Sequence, residues 1–169
     1  MQRKITSVDL GKSVYNPDKE IRFDKVLWDN GAEIGIDGNR VLYFNGLART
    51  INNGRLNLTV QNWDWYQTFG FDTCKGKNGQ ILNVSTAKTV LIEMTDASQG
   101  QFMKLELITN KGPVELWLRH PQSELIAFSA KDNIYSANLP EGITEIYKVQ
   151  FVGQMSELAI DLGSITFKD

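Results

Sequence analysis

Trp117 stands in the run Val114-Glu115-Leu116-Trp117-Leu118-Arg119-His120. Written as a strand, this run puts Val114, Leu116 and Leu118 on one face. Glu115, Trp117 and Arg119 share the other, because successive side chains of a strand point to opposite sides. A tryptophan among charged neighbours is a large apolar surface left near solvent, and such surface marks binding. A second cluster is Gln61-Asn62-Trp63-Asp64-Trp65-Tyr66, where three aromatics crowd into four positions. If the strand Arg55 to Val60 continues without a bulge, Gln61, Trp63 and Trp65 fall on the polar face of Asn57 and Thr59. Rings of this kind stack on the apolar C–H face of a sugar ring. The hydroxyls of that sugar need planar donors and acceptors, and Gln61, Asn62, Asp64, Glu115, Arg119 and Gln122 supply them. Tryptophan is rigid, so little side-chain entropy is lost on stacking. Packing is the competing reading for each ring. Tyr66 joins the candidates by its position, whereas Trp28, in Val26-Leu27-Trp28-Asp29-Asn30, and Tyr43 read as packing residues.

Other chemistries find less support. His120 is the only histidine, and Cys74 the only cysteine. A His-rich or Cys-based zinc site is therefore not expected, nor a serine triad, since no nucleophile-elbow motif accompanies His120. Glycoside hydrolysis needs two carboxylates about 5–10 Å apart. Glu93, Glu106 and Glu115 face away from the aliphatic rows and are the candidates. A solvated sheet face with Lys104 and Arg119 as their ion-pair partners is the simpler reading. Cys74-Lys75-Gly76-Lys77-Asn78-Gly79 lacks a phosphate-loop pattern and reads as an exposed turn.

Turns and strands position these residues. Turn signals recur at Asn30-Gly31, Asp37-Gly38, Asn53-Gly54, Asn78-Gly79, Gln99-Gly100, Lys111-Gly112-Pro113 and Pro140-Glu141-Gly142. Asn-Gly and Asp-Gly suit tight hairpins because both residues tolerate positive φ. Between them lie alternating runs: Arg55 to Val60, Thr89 to Met94, Phe102 to Thr109, Val114 to His120, Tyr147 to Val152 and Leu158 to Phe167. Ser123 to Ala130 is compatible with a strand or a helical turn. Short alternating runs separated by turn residues predict an all-β fold, an antiparallel β-sandwich, over one domain of residues 1–169. The chain of 169 residues is 41% hydrophobic and 22% charged, enough apolar material for a core. A net charge of -2 without a basic run gives no electrostatic footprint for nucleic acid. No apolar stretch reaches the roughly 20 residues of a membrane helix. Met1 to Asp9 lacks the apolar centre of a signal peptide; an excised module of a larger secreted protein would begin the same way.

Three segments carry a family resemblance. Gly54-Arg55-Leu56-Asn57-Leu58-Thr59-Val60 runs into Trp63-Asp64-Trp65-Tyr66-Gln67-Thr68-Phe69-Gly70-Phe71, and the chain closes on Ile160-Asp161-Leu162-Gly163-Ser164-Ile165-Thr166-Phe167. From about Gly54 onward the sequence resembles the β-jelly-roll carbohydrate-binding modules attached to plant-cell-wall hydrolases; the N-terminal third departs from their usual opening. The resemblance implies a jelly roll without catalysis. It also implies a plant polysaccharide as ligand, a β-glucan such as cellulose or a hemicellulose, and attachment to a catalytic domain in a larger secreted protein, outside the cell or at its surface. In several such families an aspartate of the last strand helps bind a structural calcium. Asp161 matches that position, with Asp9 and Glu20 as candidate partners, and no other cofactor is implied. A small jelly-roll hydrolase or lyase is the alternative in the enzyme class. A protein-interaction sandwich is the third reading.

Overall fold

The alternating runs become strands wherever one face of the run can be buried. The computed structural model of the protein describes residues 15–37, 40–72 and 81–169. Within them the chain forms β1 (Glu20–Arg22), β2 (Val26–Asp29), β3 (Glu33–Ile36), β4 (Arg40–Phe44), β5 (Arg49–Asn52), β6 (Arg55–Trp63) and β7 (Phe69–Asp72). There follow β8 (Leu82–Asn83), β9 (Thr89–Asp96), β10 (Phe102–Thr109), β11 (Gly112–Arg119), β12 (Ser129–Lys131), β13 (Ile134–Asn138) and β14 (Glu145–Lys168). Single 3-10 turns lie at Phe23–Lys25 and Ser123–Leu125, so the ambiguous stretch after β11 is a turn followed by a short strand. Among the described residues no helix is long and apolar enough to cross a membrane.

Two antiparallel sheets stack face to face. The front sheet has the order β11-β10-β14-β7-β4-β3-β2, with β8 beside the start of β14. The back sheet has the order β5-β6-β14-β9-β13-β12, with β1 continuing the line of β6. After β4 the chain crosses to the back sheet for β5 and β6, returns for β7, and keeps alternating. This is the path of a jelly roll, which curls one sheet pair around a single core. The predicted inward rows are confirmed: Leu56, Leu58, Val90, Ile92, Met94, Met103, Leu105 and Leu107 are fully buried. Phe44, Phe69 and Phe151 continue the core as near-parallel rings, Phe69 and Phe151 with centroids 4.7 Å apart.

Tight turns fix the registers. Asn53 and Gly54 have φ of 53° and 72° between the paired residues Asn52 and Arg55, which is the two-residue hairpin their sequence predicts. Asp132 and Asn133 do the same between Lys131 and Ile134 without a glycine, a turn the sequence reading did not single out.

The two strands expected at Tyr147 to Val152 and Leu158 to Phe167 are one strand of 24 residues shared by both sheets. Up to Gln154, β14 pairs with β8, β7 and β10; from Met155 it pairs with β6, β9 and β1. Just before the crossing stands Gly153, where a Cβ would run into the Phe102 carbonyl and lie 2.6 Å from the Trp63 ring. A glycine inside a strand marks such a close approach.

Candidate functional site

The outer face of the front sheet carries an aligned polar row. Register places Glu33 beside Tyr43, Tyr43 beside Gly70, Gly70 beside Gln150, Gln150 beside Glu106 and Glu106 beside Glu115. Tyr43, Gly70, Gln150, Glu106 and Glu115 lie between inward-facing apolar residues and Glu33 precedes the buried Ile34, so the row lies on the side away from the core. The Tyr43 hydroxyl donates to Gln150 Oε1 at 2.6 Å, and Gln150 Nε2 donates to Glu106 Oε1 at 2.5 Å. Lys104, one row up, places its ammonium 3.4 Å from Glu106 Oε2 and donates to Glu115 Oε2. The result is a fixed chain of donors and acceptors running from Tyr43 to Glu115 across five strands. Burial pulls the Lys104 ammonium down. The hydrogen bond and charge of Glu115, with Glu106 behind it, outweigh that and hold it above the ordinary lysine value. Gly70 makes the row possible: a Cβ there would lie 2.6 Å from Gln150 Cβ, 2.7 Å from the Val149 carbonyl and 2.9 Å from the Tyr43 hydroxyl.

One end of the row is walled by rings. Trp117 lies on this outer face beside Lys104, as its alternation predicts, and is half-buried. The Lys104 ammonium is 5.3 Å from its centroid, a cation–π contact. Trp65 packs edge-on to Trp117 at 6.5 Å and tilts against Phe102 at 5.7 Å. His120 closes the cluster, 4.7 Å from Trp117 and 5.5 Å from Phe102. Its Nδ1 accepts the Gln122 amide, so the lone histidine is part of a turn. Trp65 is 38% exposed and Tyr66 75%.

The candidates from the Gln61–Tyr66 cluster separate. Trp63 does not share the polar face. It is 1% exposed, and its indole N–H donates to the Gln67 carbonyl. Asn62 is the reason: its φ of 53° breaks the alternation without shifting the register, so the next side chain turns inward. Gln61 stays outside, but on the back sheet, where it donates to Glu157. Asn62 is exposed beside it. Asp64 caps the turn that follows: its Oδ1 accepts the Trp65 amide at 2.7 Å and the Gln154 side-chain amide at 3.3 Å. Gln122 is exposed just before the second 3-10 turn.

Arg119, expected as a free sugar donor, is already engaged. It donates to Asp96 Oδ2 at 2.8 and 3.2 Å, and to the carbonyls of Ser98 and Gly100. Asp161 meets a cation of its own chain. Arg55 Nε donates to its Oδ1 at 2.6 Å, while the other Arg55 nitrogens grip both Glu93 oxygens at 2.6 Å. The Glu93 hydrogen bonds hold the Arg55 guanidinium well above its ordinary value, and Asp161 adds to the effect. A guanidinium in that position does not fit a calcium ion at Asp161. Glu20 is buried elsewhere on the back sheet, accepting the Asn16 amide, and Asp9 lies outside the described residues. Among the described residues no three His, Cys, Asp or Glu side chains gather as a metal site. The segment Cys74 to Gly79 also lies outside the described residues. Of the three carboxylates, Glu93 stands apart on the back sheet, whereas Glu106 and Glu115 are cross-strand neighbours joined through the Lys104 ammonium, the ion-paired arrangement the sequence favoured.

Sequence reasoning missed part of this face. Tyr43 and Gln150 are central to the polar row, and Trp28 is no packing residue in the ordinary sense. It pairs with Gly35 across the β2–β3 edge, and a Cβ on Gly35 would fall inside its indole. Ile34 and Ile36 point fully inward, so Gly35 and the ring above it belong to the outer face. The ring is 43% exposed. The available signal was the pair Ile34-Gly35-Ile36 and Phe69-Gly70-Phe71: a glycine at the outward position of an apolar strand marks a close approach from outside.

No protein-family model and no curated protein matches this chain. Among solved structures, one described as a non-crystalline cellulose specific carbohydrate-binding module, CBM28, superposes with a TM-score of 0.39 at 12% identity. The match covers 76% of this chain and 87% of that one.

Proposed function

We propose that the protein is a non-catalytic carbohydrate-binding module for a plant cell-wall polysaccharide, a β-glucan or related β-linked glycan, bound on the outer face of the front sheet. The observation that carries the reading is the polar row Tyr43–Gln150–Glu106–Lys104–Glu115 lying beside the Trp117 and Trp65 rings. A glycan presents alternating demands of this kind, apolar ring faces and hydroxyls that both donate and accept. The row is preorganised, since each member is held by its neighbour, so few side chains must be ordered on binding. The natural setting in this reading is a larger secreted protein whose catalytic domain the module holds on its polysaccharide.

Affinity electrophoresis in gels carrying soluble β-glucans and hemicelluloses tests the reading. Wild-type protein is expected to be retarded by at least one β-linked glycan, and Trp117→Ala and Gln150→Ala to lose that retardation with the fold intact. Absence of retardation across the panel removes the function. Release of soluble products from the same glycans selects a hydrolase or lyase instead.

A further inference from the structure

We infer that the β2–β3 edge carries a second aromatic subsite of the same face, built by Trp28, and that Arg49 positions it. The inference rests on the glycan-binding reading and extends it to the length of the ligand. The Trp28 indole lies against the outer side of Gly35, with Nε1 and Cε2 2.1 and 2.2 Å from where a Cβ would stand, and the residue keeps 43% of its surface in solvent. A ring seated on the backbone and still this exposed has apolar surface to offer a ligand.

The turn after Trp28 is fastened from the other sheet. Arg49 begins β5 of the back sheet, and its guanidinium lies 4.0 Å from the centroid of the Phe44 ring. It donates to the Gly31 carbonyl at 2.5 Å and to Asp29 Oδ1 at 2.7 Å. Asp29 Oδ1 also accepts the Gly31 amide, and Asn30 Oδ1 accepts the amides of Ala32 and Glu33. The Arg49 side chain is 7% exposed, and its Nε finds no acceptor among the described residues. Burying a guanidinium with a donor unmet costs stability, and an apolar residue would cover Phe44 without that cost. What the arginine adds is a fixed position for Asp29, and hence for the adjacent Trp28.

The two aromatic ends are far apart. From β3 beneath Trp28 to β11 there are five inter-strand steps, about 24 Å at about 4.8 Å each. Register offsets them by four residues along β14, from Lys148 to Val152, or about 13 Å. The diagonal is about 27 Å, with the Tyr43–Gln150–Glu106 row along it. Only a chain of several sugar residues reaches both ends, so the face recognises a stretch of polymer rather than a single terminal sugar.

Calorimetric titration with β-glucan oligosaccharides from disaccharide to octasaccharide tests this. Wild-type affinity is expected to climb until the ligand spans both ends. Trp28→Ala should weaken the longest ligand about three- to tenfold, the range of one aromatic contact, and leave the shortest unchanged. Arg49→Met should give the same length-selective loss and add little on top of Trp28→Ala. Asp29→Ala breaks the same strap from its exposed side should Arg49→Met fail to fold. Wild-type affinity that levels off at the disaccharide, or equal losses for short and long ligands, overturns the second subsite and leaves the glycan reading standing. A wild-type protein that binds no glycan at all removes both.

Discussion

Trp63 and Trp65 are two residues apart, and the structure assigns them opposite fates. Trp63 is 1% exposed, packs against Gly153 just before β14 changes sheets, and donates to the Gln67 carbonyl. Replacing a buried tryptophan by alanine removes the transfer energy of the ring and leaves a cavity, about 3–5 kcal/mol. The Gln67 carbonyl loses its partner as well. Against a total stability of roughly 5–15 kcal/mol this is a large fraction. With a urea slope near 2 kcal/mol/M, the unfolding midpoint should fall by about 2 M. Trp65 is 38% exposed and rests on Phe102 and Trp117 by its edge, so Trp65→Ala should move the midpoint by about 0.5 M or less. Affinity electrophoresis of the folded proteins completes the comparison: Trp65→Ala should lose retardation, and Trp63→Phe, which keeps most of the core volume, should retain it. A Trp63→Ala protein with a wild-type midpoint that has lost glycan binding would refute the placement of the two rings.

Lys104→Met leaves Glu106 and Glu115 opposite each other with no cation between them and uncovers Trp117. A loss of about 1–2 kcal/mol is expected in urea melts, partly restored by adding Glu115→Gln. Gly70→Ala drives a methyl against the Val149 carbonyl and Gln150 Cβ, which should cost about 1–3 kcal/mol and weaken glycan retention with it. The hydrogen bond from Arg22, despite some burial, holds the Asp24 carboxyl below the usual carboxylate value. A depressed folded value means the pair's contribution is present above the ordinary range near 3.9 and lost as pH falls through the folded value. Arg22→Gln should therefore be less stable than wild type at pH 7, by roughly 0.2–1 kcal/mol for an exposed pair, and equal to it once Asp24 is protonated in both states.

The fold was legible wherever one face of a run is buried. Phe102 to Thr109 is a strand with the expected bounds because every second residue is a large aliphatic, and Asn53-Gly54 is a hairpin because both residues accept positive φ. The placement of Trp117 followed from the same alternation. Alternation failed at Asn62, since a single left-handed residue reverses the side-chain direction and asparagine adopts that conformation without announcing it. The break expected between Val152 and Leu158 is absent, because the strand changes sheets between Gln154 and Met155 without a turn. Pairing is a property of partners distant in sequence. The alignment of Tyr43, Gly70, Gln150 and Glu106 joins four strands, and no local pattern reports it. Arg119 was misjudged for the same reason: its partner Asp96 lies 23 residues away.

The two outer faces of the sandwich show why the choice of site turns on chemistry rather than on the depth of a depression. The back sheet has a groove of about 540 Å³ lined by Glu20, Arg22, Asp24, Asn53, Gly54, Arg55, Glu93, Gly163, Ser164 and Thr166. It contains no aromatic ring. Its charges are satisfied among themselves, Arg55 by Glu93 and Asp161, Arg22 by Asp24. A neutral glycan entering it would have to displace charge-assisted hydrogen bonds, which are about twice as strong as those it offers. The front face presents the opposite balance. Its neutral donor–acceptor pair, Tyr43 with Gln150, sits within the row, between the Lys104 ion pairs under Trp117 on one side and Glu33 and Lys148 beside Tyr43 on the other. Hydroxyls can exchange with such a pair at little cost, and the rings at the row's end supply the apolar contact. Breaking the front row while leaving the back-face ion pairs intact is thus the change that should separate binding from stability.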